Sequence, residues 1–246
     1  MAQAITIDLN LRRWRSDFTL YEYLECNIGI FLCRLWEDPQ TEAANRNRLY
    51  RKASSFLVAG DLARRRYRDA GQETNSVHPS PPSCSLLSAG RCFAGTQNVS
   101  SMQKDEAWKV NVRIHGCDLE QGYLCGTMEA LNVPLADTPV VTFWEGEIVD
   151  AKNYTFFTGK WEASPEDDIR HWSKFPSFTP LLSQIETDGG KSLDLSNYPH
   201  IFMRWKEQYF VNVGVDCGLT IAGFYYVCFS CSDGSISGFY YDPSSS

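Results

Sequence analysis

The chain has 246 residues, 43% of them hydrophobic and 22% charged, an ordinary globular composition that excludes a collagen-like, mucin-like or wholly disordered protein. Its net charge of −7 is unevenly spread: residues 1–75 carry 12 basic and 10 acidic side chains, and residues 76–246 carry 11 and 20. The acidic body argues against nonspecific nucleic-acid binding and favours a cationic ligand.

Residues 1–75 are rich in Arg, Leu and Ala, with helical patches over Leu20–Leu35 and Thr41–Arg68. They are expected to form an N-terminal extension, helical or disordered. The apolar run Ile28–Cys33 is far shorter than the ~20 residues that span a bilayer. The basic cluster Arg64–Arg68 reads as a solvated helix end. His78–Ser85 is Pro/Ser-rich, and residues 76–90 are expected to be a linker to a domain over 91–246.

From there the pattern turns β. Val110, Val112 and Ile114 alternate with Asn111, Arg113 and His115, a period-2 strand that Gly122–Leu131 can pair with. Val140–Val149 is a long strand, with Tyr154–Thr158 expected as another. Two helices follow. Ser164 is an N-cap before Pro165, with acids in the first turn. Thr179-Pro180 opens a second helix, which Asp188-Gly189-Gly190 stops. His200–Val211, Leu219–Phe229 and Ser235–Tyr241 complete the set, the last two joined by an Asp233-Gly234 turn. The fold class is mainly β: an antiparallel up-and-down barrel of about eight strands, with room for one small ligand and a helical insertion across one side or mouth.

Nine cysteines without a visible signal peptide point to a reduced, intracellular compartment: the cytoplasm, or the nucleus as well. Cys228 and Cys231 form the one close pair, and the four scattered histidines do not complete a zinc site, so no metal or cofactor is expected. The sequons at Asn98 and Asn153 carry no weight in that compartment. No nucleophile motif or phosphate-binding glycine loop is present. Glu145 and Glu147 share one strand face about 7 Å apart, the spacing of an acid/base pair, although a solvated rim explains them as well.

Glu207 is more informative. Ile201, Met203, Trp205, Tyr209 and Val211 share its strand parity, so one carboxylate sits on an apolar face. Such a group needs a cation, either a protein side chain or a charged ligand. Tyr225, in phase with Ile221, Val227 and Phe229, brings a hydroxyl to the same interior and needs a partner there. An ammonium site and a satisfied structural pair both fit these residues.

Phe202–Gln208, Ala222–Phe229, Gly122–Gly126, Phe143–Ile148, Arg170–Phe175 and Gly95–Ser100, together and in this order, resemble the substrate receptors of the GID/CTLH ubiquitin ligase, the glucose-induced-degradation (vacuolar import and degradation) family, in its plant-like form. The likeness runs from about Leu86 to the C-terminus. It implies an eight-stranded barrel with a central tunnel that binds proteins beginning with proline (the Pro/N-degron). It implies a non-catalytic subunit that presents them to a RING-type ligase for proteasomal degradation. By the same resemblance, Glu207 accepts from the N-terminal ammonium, Tyr225 shares it, Gln97 bonds the peptide backbone and Thr220 supplies a hydroxyl. The apolar walls fall on Val110, Val133, Val140 and Phe210. The implied partners are substrate N-termini and the ligase scaffold, which family members dock in part through a tail beyond the position of Ser246. A lipocalin-like carrier of small molecules is the competing reading.

Overall fold

The computed structural model describes residues 4–11, 86–100, 105–131, 133, 138–212 and 219–245. Eight strands form a closed antiparallel barrel in chain order: β1 (Ala4–Leu11), β2 (Cys92–Ser100), β3 (Asp105–Asp118), β4 (Tyr123–Leu131), β5 (Val140–Ile148), β6 (His200–Phe210), β7 (Phe224–Ser230) and β8 (Ile236–Tyr241). Between β5 and β6 lie α1 (Pro165–Trp172), a 3-10 turn (Pro176–Leu181) and α2 (Leu182–Asp188). The mainly β barrel with a helical insertion is thus the observed architecture.

The first strand corrects the expected domain boundaries. Residues 4–11 are not part of a separate extension; they pair with β2 from Ala4↔Ser100 to Leu11↔Phe93 and with β8 from Thr6↔Phe239 to Leu9↔Ile236. Without them the barrel would be open between β2 and β8. The reason is in the residues themselves: Ile5, Ile7, Leu9 and Leu11 alternate with Thr6, Asp8 and Asn10. Ile7 and Leu9 are buried in the barrel core. The expected linker is also shorter, because Leu87 packs in the same core and Gly90 N–H donates to Ile114 O at 2.8 Å. The helical patches at 20–35 and 41–68, the basic cluster and His78–Ser85 lie outside the described residues.

One barrel end is filled. Phe93, Val112, Ile114, Leu124, Ile148, Ile201, Met203, Phe229 and Ile236 pack inside it, and Leu86, Leu87 and Leu119 close around them. Trp144 and Trp205 form the next layer, stacked at 4.3 Å with an 18° interplanar angle. Each ring lies over a cross-strand glycine: Gly126 faces Trp144 and Gly146 faces Trp205. A Cβ there would meet Trp144 Cζ2 at 2.6 Å or Trp205 Cδ1 at 2.8 Å, so only glycine lets the indoles lie flat against the wall.

The insertion covers the outer side of the barrel rather than its mouth. Phe156, Trp172, Phe175, Phe178 and Ile185 pack against the outward residues Phe202, Phe224, Tyr226 and Cys228. This two-sided burial explains why Phe224–Cys228 reads as an unbroken apolar run. The N-terminus of α1 closes with a capping box between Ser164 and Asp167, and α2 stops at Gly189, φ 71°. Tyr154–Thr158 is irregular, not the expected strand. Its surroundings consume the ladder bonds: Asp150 Oδ1 accepts from the N–H of Lys152, Asn153 and Tyr154, while Thr155 O and Phe156 O accept from Arg204 and Trp172.

The Glu145–Glu147 pair is dispersed. Glu145 accepts from Tyr123 Oη at 2.9 Å, and Glu147 from Arg204 Nε at 2.9 Å and from Lys160. With each carboxylate bound to its own structural partner, the pair does not form an acid/base site.

Candidate functional site

Gln97 on β2, Thr142 on β5, Glu207 on β6, Tyr225 on β7 and Tyr240 on β8 come together within the barrel. A register shift in β6 decides what this group contains. Phe143 pairs Tyr209 but Trp144 pairs Glu207, leaving Gln208 as the extra residue of a bulge. Up to Glu207 the expected parity holds. Beyond it the faces exchange: Tyr209 stacks on Phe143 at 5.3 Å on the outer wall, and Phe210 comes opposite Thr142. Tyr209 therefore does not share the face of Glu207, whereas Phe210 does.

Glu207 is half-buried, and burial raises its carboxyl above the usual range. Thr142 Oγ1 donates to Glu207 Oε1 at 2.5 Å, which partly restores the charged form. Lys206 acts on the acid electrostatically but makes no ion pair with it; its Nζ donates to Ala222 O and Gly223 O, both at 2.6 Å. No cation among the described residues forms a salt bridge with Glu207. Of the two cations its position allowed, a protein side chain or a charged ligand, the first is not found among the described residues, because the neighbouring lysine is engaged with backbone carbonyls.

Tyr225 is almost fully buried and accepts from Gln97 Nε2 at 3.1 Å. Burial, then the Glu207 charge, then Tyr240 keep its phenol protonated. Tyr240 stacks edge-on against Tyr225 at 4.9 Å, and its hydroxyl accepts from Gly223 N–H at 2.6 Å. An acid, two phenols, an amide and a hydroxyl are thus grouped inside the barrel beside its apolar core. The set can neutralise and hydrogen-bond one compact cation.

The other expected residues are distributed as follows. Val110, Val133 and Val140 are buried, Val110 within the barrel core. Phe210 is half-buried at the end of β6, and Thr220 is exposed in the segment before β7. Thr142 and Tyr240 were not singled out from sequence. Their strand parity, with Trp144 and with Ile236, was the available signal.

The chain matches the family model described as vacuolar import and degradation protein over residues 86–246. It is 37% identical over 164 residues to a mouse protein named glucose-induced degradation protein 4 homolog, covering 65% of this chain and 73% of that one. A fission-yeast (Schizosaccharomyces pombe) protein named GID complex substrate-recognition subunit 4 is 32% identical over 172 residues, covering 65% and 86% of the two chains. A second fission-yeast protein, named GID complex substrate-recognition subunit 10, is 33% identical over 164 residues, but this chain covers only 30% of its length.

Proposed function

Because the chain belongs to the vacuolar import and degradation protein family, we propose that it is a substrate-recognition subunit of a multisubunit ubiquitin ligase, binding the free N-terminus of its substrates in the barrel lumen. The observation that carries this reading is Glu207, an acid on the inward face of the barrel with no ion-pair partner among the described residues. A protein α-ammonium has a pKa of about 7.7–8.0 and is largely charged at neutral pH. An internal peptide bond has no such charge, so one desolvated carboxylate separates an N-terminus from the rest of a chain. The relatives named as substrate-recognition subunits point to the same role.

Glu207 accepts from the ammonium, Tyr225 Oη supplies a second acceptor, and Gln97, held against Tyr225, faces the first peptide units. Val110, Val133, Val140 and Phe210 offer an apolar slot suited to a proline ring. The subunit binds and presents; the ubiquitin-transfer chemistry, and the degradation that follows, belong to other proteins.

Titration calorimetry with a short Pro-initiated peptide and its N-acetylated twin tests this. The free amine should bind and acetylation should abolish binding. Equal binding of the two peptides would overturn the assignment.

A further inference from the structure

Thr142 is a buried polar residue on the inward face of β5, and its hydroxyl proton goes to Glu207 Oε1 at 2.5 Å. It reaches the acid diagonally: Trp144 is opposite Glu207 in the register, and Thr142 lies two residues along on the same face. The separation is that of a hydroxyl donated to an ionised carboxylate, about 2.5–2.7 Å, rather than the roughly 2.7–2.8 Å of neutral hydroxyl bonds. It is the one hydrogen bond that the Glu207 side chain makes among the described residues, so Oε2 accepts from none of them.

We propose that Thr142 is a positioning residue of the N-terminus site: its hydroxyl holds Glu207 by one oxygen as an oriented carboxylate and leaves the other oxygen to the substrate ammonium. The inference rests on the reading of Glu207 as the acid that accepts that ammonium. A glutamate side chain is rich in rotamers, and ordering it at the moment of binding costs affinity. With Oε1 bonded to β5, that ordering is already done in the free protein. The same bond opposes the burial that raises the carboxyl. Without the hydroxyl the acid takes up its proton at higher pH and has no charge to offer. The titratable groups that face Glu207 are Tyr225 from β7 and Tyr240 from β8, with Lys206 beside it on β6. Burial raises both phenols, and Lys206 is bonded to two carbonyls. Of these groups, Glu207 is the one that changes charge on mild acidification.

Valine keeps the shape of threonine and removes the donor; serine keeps the donor and removes the methyl. The test is calorimetry of the Pro-first peptide with the native chain, Thr142→Val and Thr142→Ser, followed downward in pH from 7.5, where the ammonium stays charged. In Thr142→Val the midpoint of the acid limb of binding should move up by about one to two pH units, the size of one hydrogen bond to a charged group, and in Thr142→Ser it should return to roughly its native place. Thr142→Ala gives the same reading should the valine variant fail to fold. An unmoved midpoint without the hydroxyl, whether affinity is native or lowered equally at every pH, overturns this inference and leaves the N-terminus site standing. A serine midpoint displaced as far as the valine one overturns it too, since the methyl and not the donor would then be responsible. Absence of free-amine binding in the native chain removes both the inference and the site.

Discussion

Glu207→Gln separates the ligand-binding acid from a structural one, because the two roles predict opposite changes in the free protein. The glutamine has nearly the same volume and can keep the bond from Thr142 Oγ1 to the side-chain oxygen, 2.5 Å in the native chain. What it removes is charge. The folded carboxyl is raised by burial, so the fold binds a proton more readily than the unfolded chain does. Between the ordinary carboxylate pKa and the raised one, stability falls as pH rises, and it stays lower above that window. Replacing the acid by a neutral amide relieves this cost, and the melting temperature at pH 7 should hold or rise. Peptide binding should weaken by about 2–5 kcal/mol, the range for truncating one partner of a desolvated charge pair, or roughly 30- to 5,000-fold in Kd. Thermal unfolding and calorimetry on the same preparation give both numbers. Affinity within about threefold of native would refute the role of the charge. A loss of about 3–5 kcal/mol in stability, the cost of breaking a buried ion pair, would show that the acid has a protein cation beyond the described residues and refute its assignment to a ligand.

Further outcomes follow from the same geometry. Peptide affinity should pass through a maximum with pH, falling below the raised pKa of Glu207 as the acid is protonated and above about 8 as the ammonium is lost; calorimetry from pH 5 to 9.5 checks both limbs. Arg204→Ala should cost about 3–5 kcal/mol in urea unfolding, because it removes the buried partner of Glu147, which keeps only the half-exposed Lys160, and leaves the carbonyl of Thr155 without its guanidinium donor. His171 is buried and lowered to about 4 by that burial, so between pH 6.5 and 4 the unfolded chain binds the proton first; stability should decline by on the order of 3 kcal/mol on acidification, and His171→Gln should flatten that decline. Deleting residues 1–11 should abolish cooperative unfolding, since Ile7 and Leu9 each contribute about 2 kcal/mol of burial on top of the ladder bonds to β2 and β8, a large part of a domain's typical stability; calorimetric unfolding against a chain lacking only residues 1–3 measures it.

The strands of the barrel were legible because one face of each is buried and side chains alternate with period two. That signal found β3, β5, β6 and the hairpin at Asp233-Gly234. It was also present in Ile5–Leu11, yet there it is separated from its partners β2 and β8 by 80 residues of chain or more. Pairing over that distance leaves no trace in local pattern. Alternation could not locate the bulge at Gln208 either, since an inserted residue costs nothing in composition while exchanging the faces of Tyr209 and Phe210.

By itself, the sequence determined that a lone carboxylate and a phenol enter an apolar interior, because strand parity is a local property. Whether that carboxylate has a protein counter-charge is not local. It depends on Lys206 being occupied by the carbonyls of Ala222 and Gly223 and on Arg204 facing Glu147 across the outer wall. Only the tertiary structure decided these contacts, because electrostatic pairing is set by distance in space between strands, and those distances follow from barrel closure and register rather than from the order of residues along any one strand.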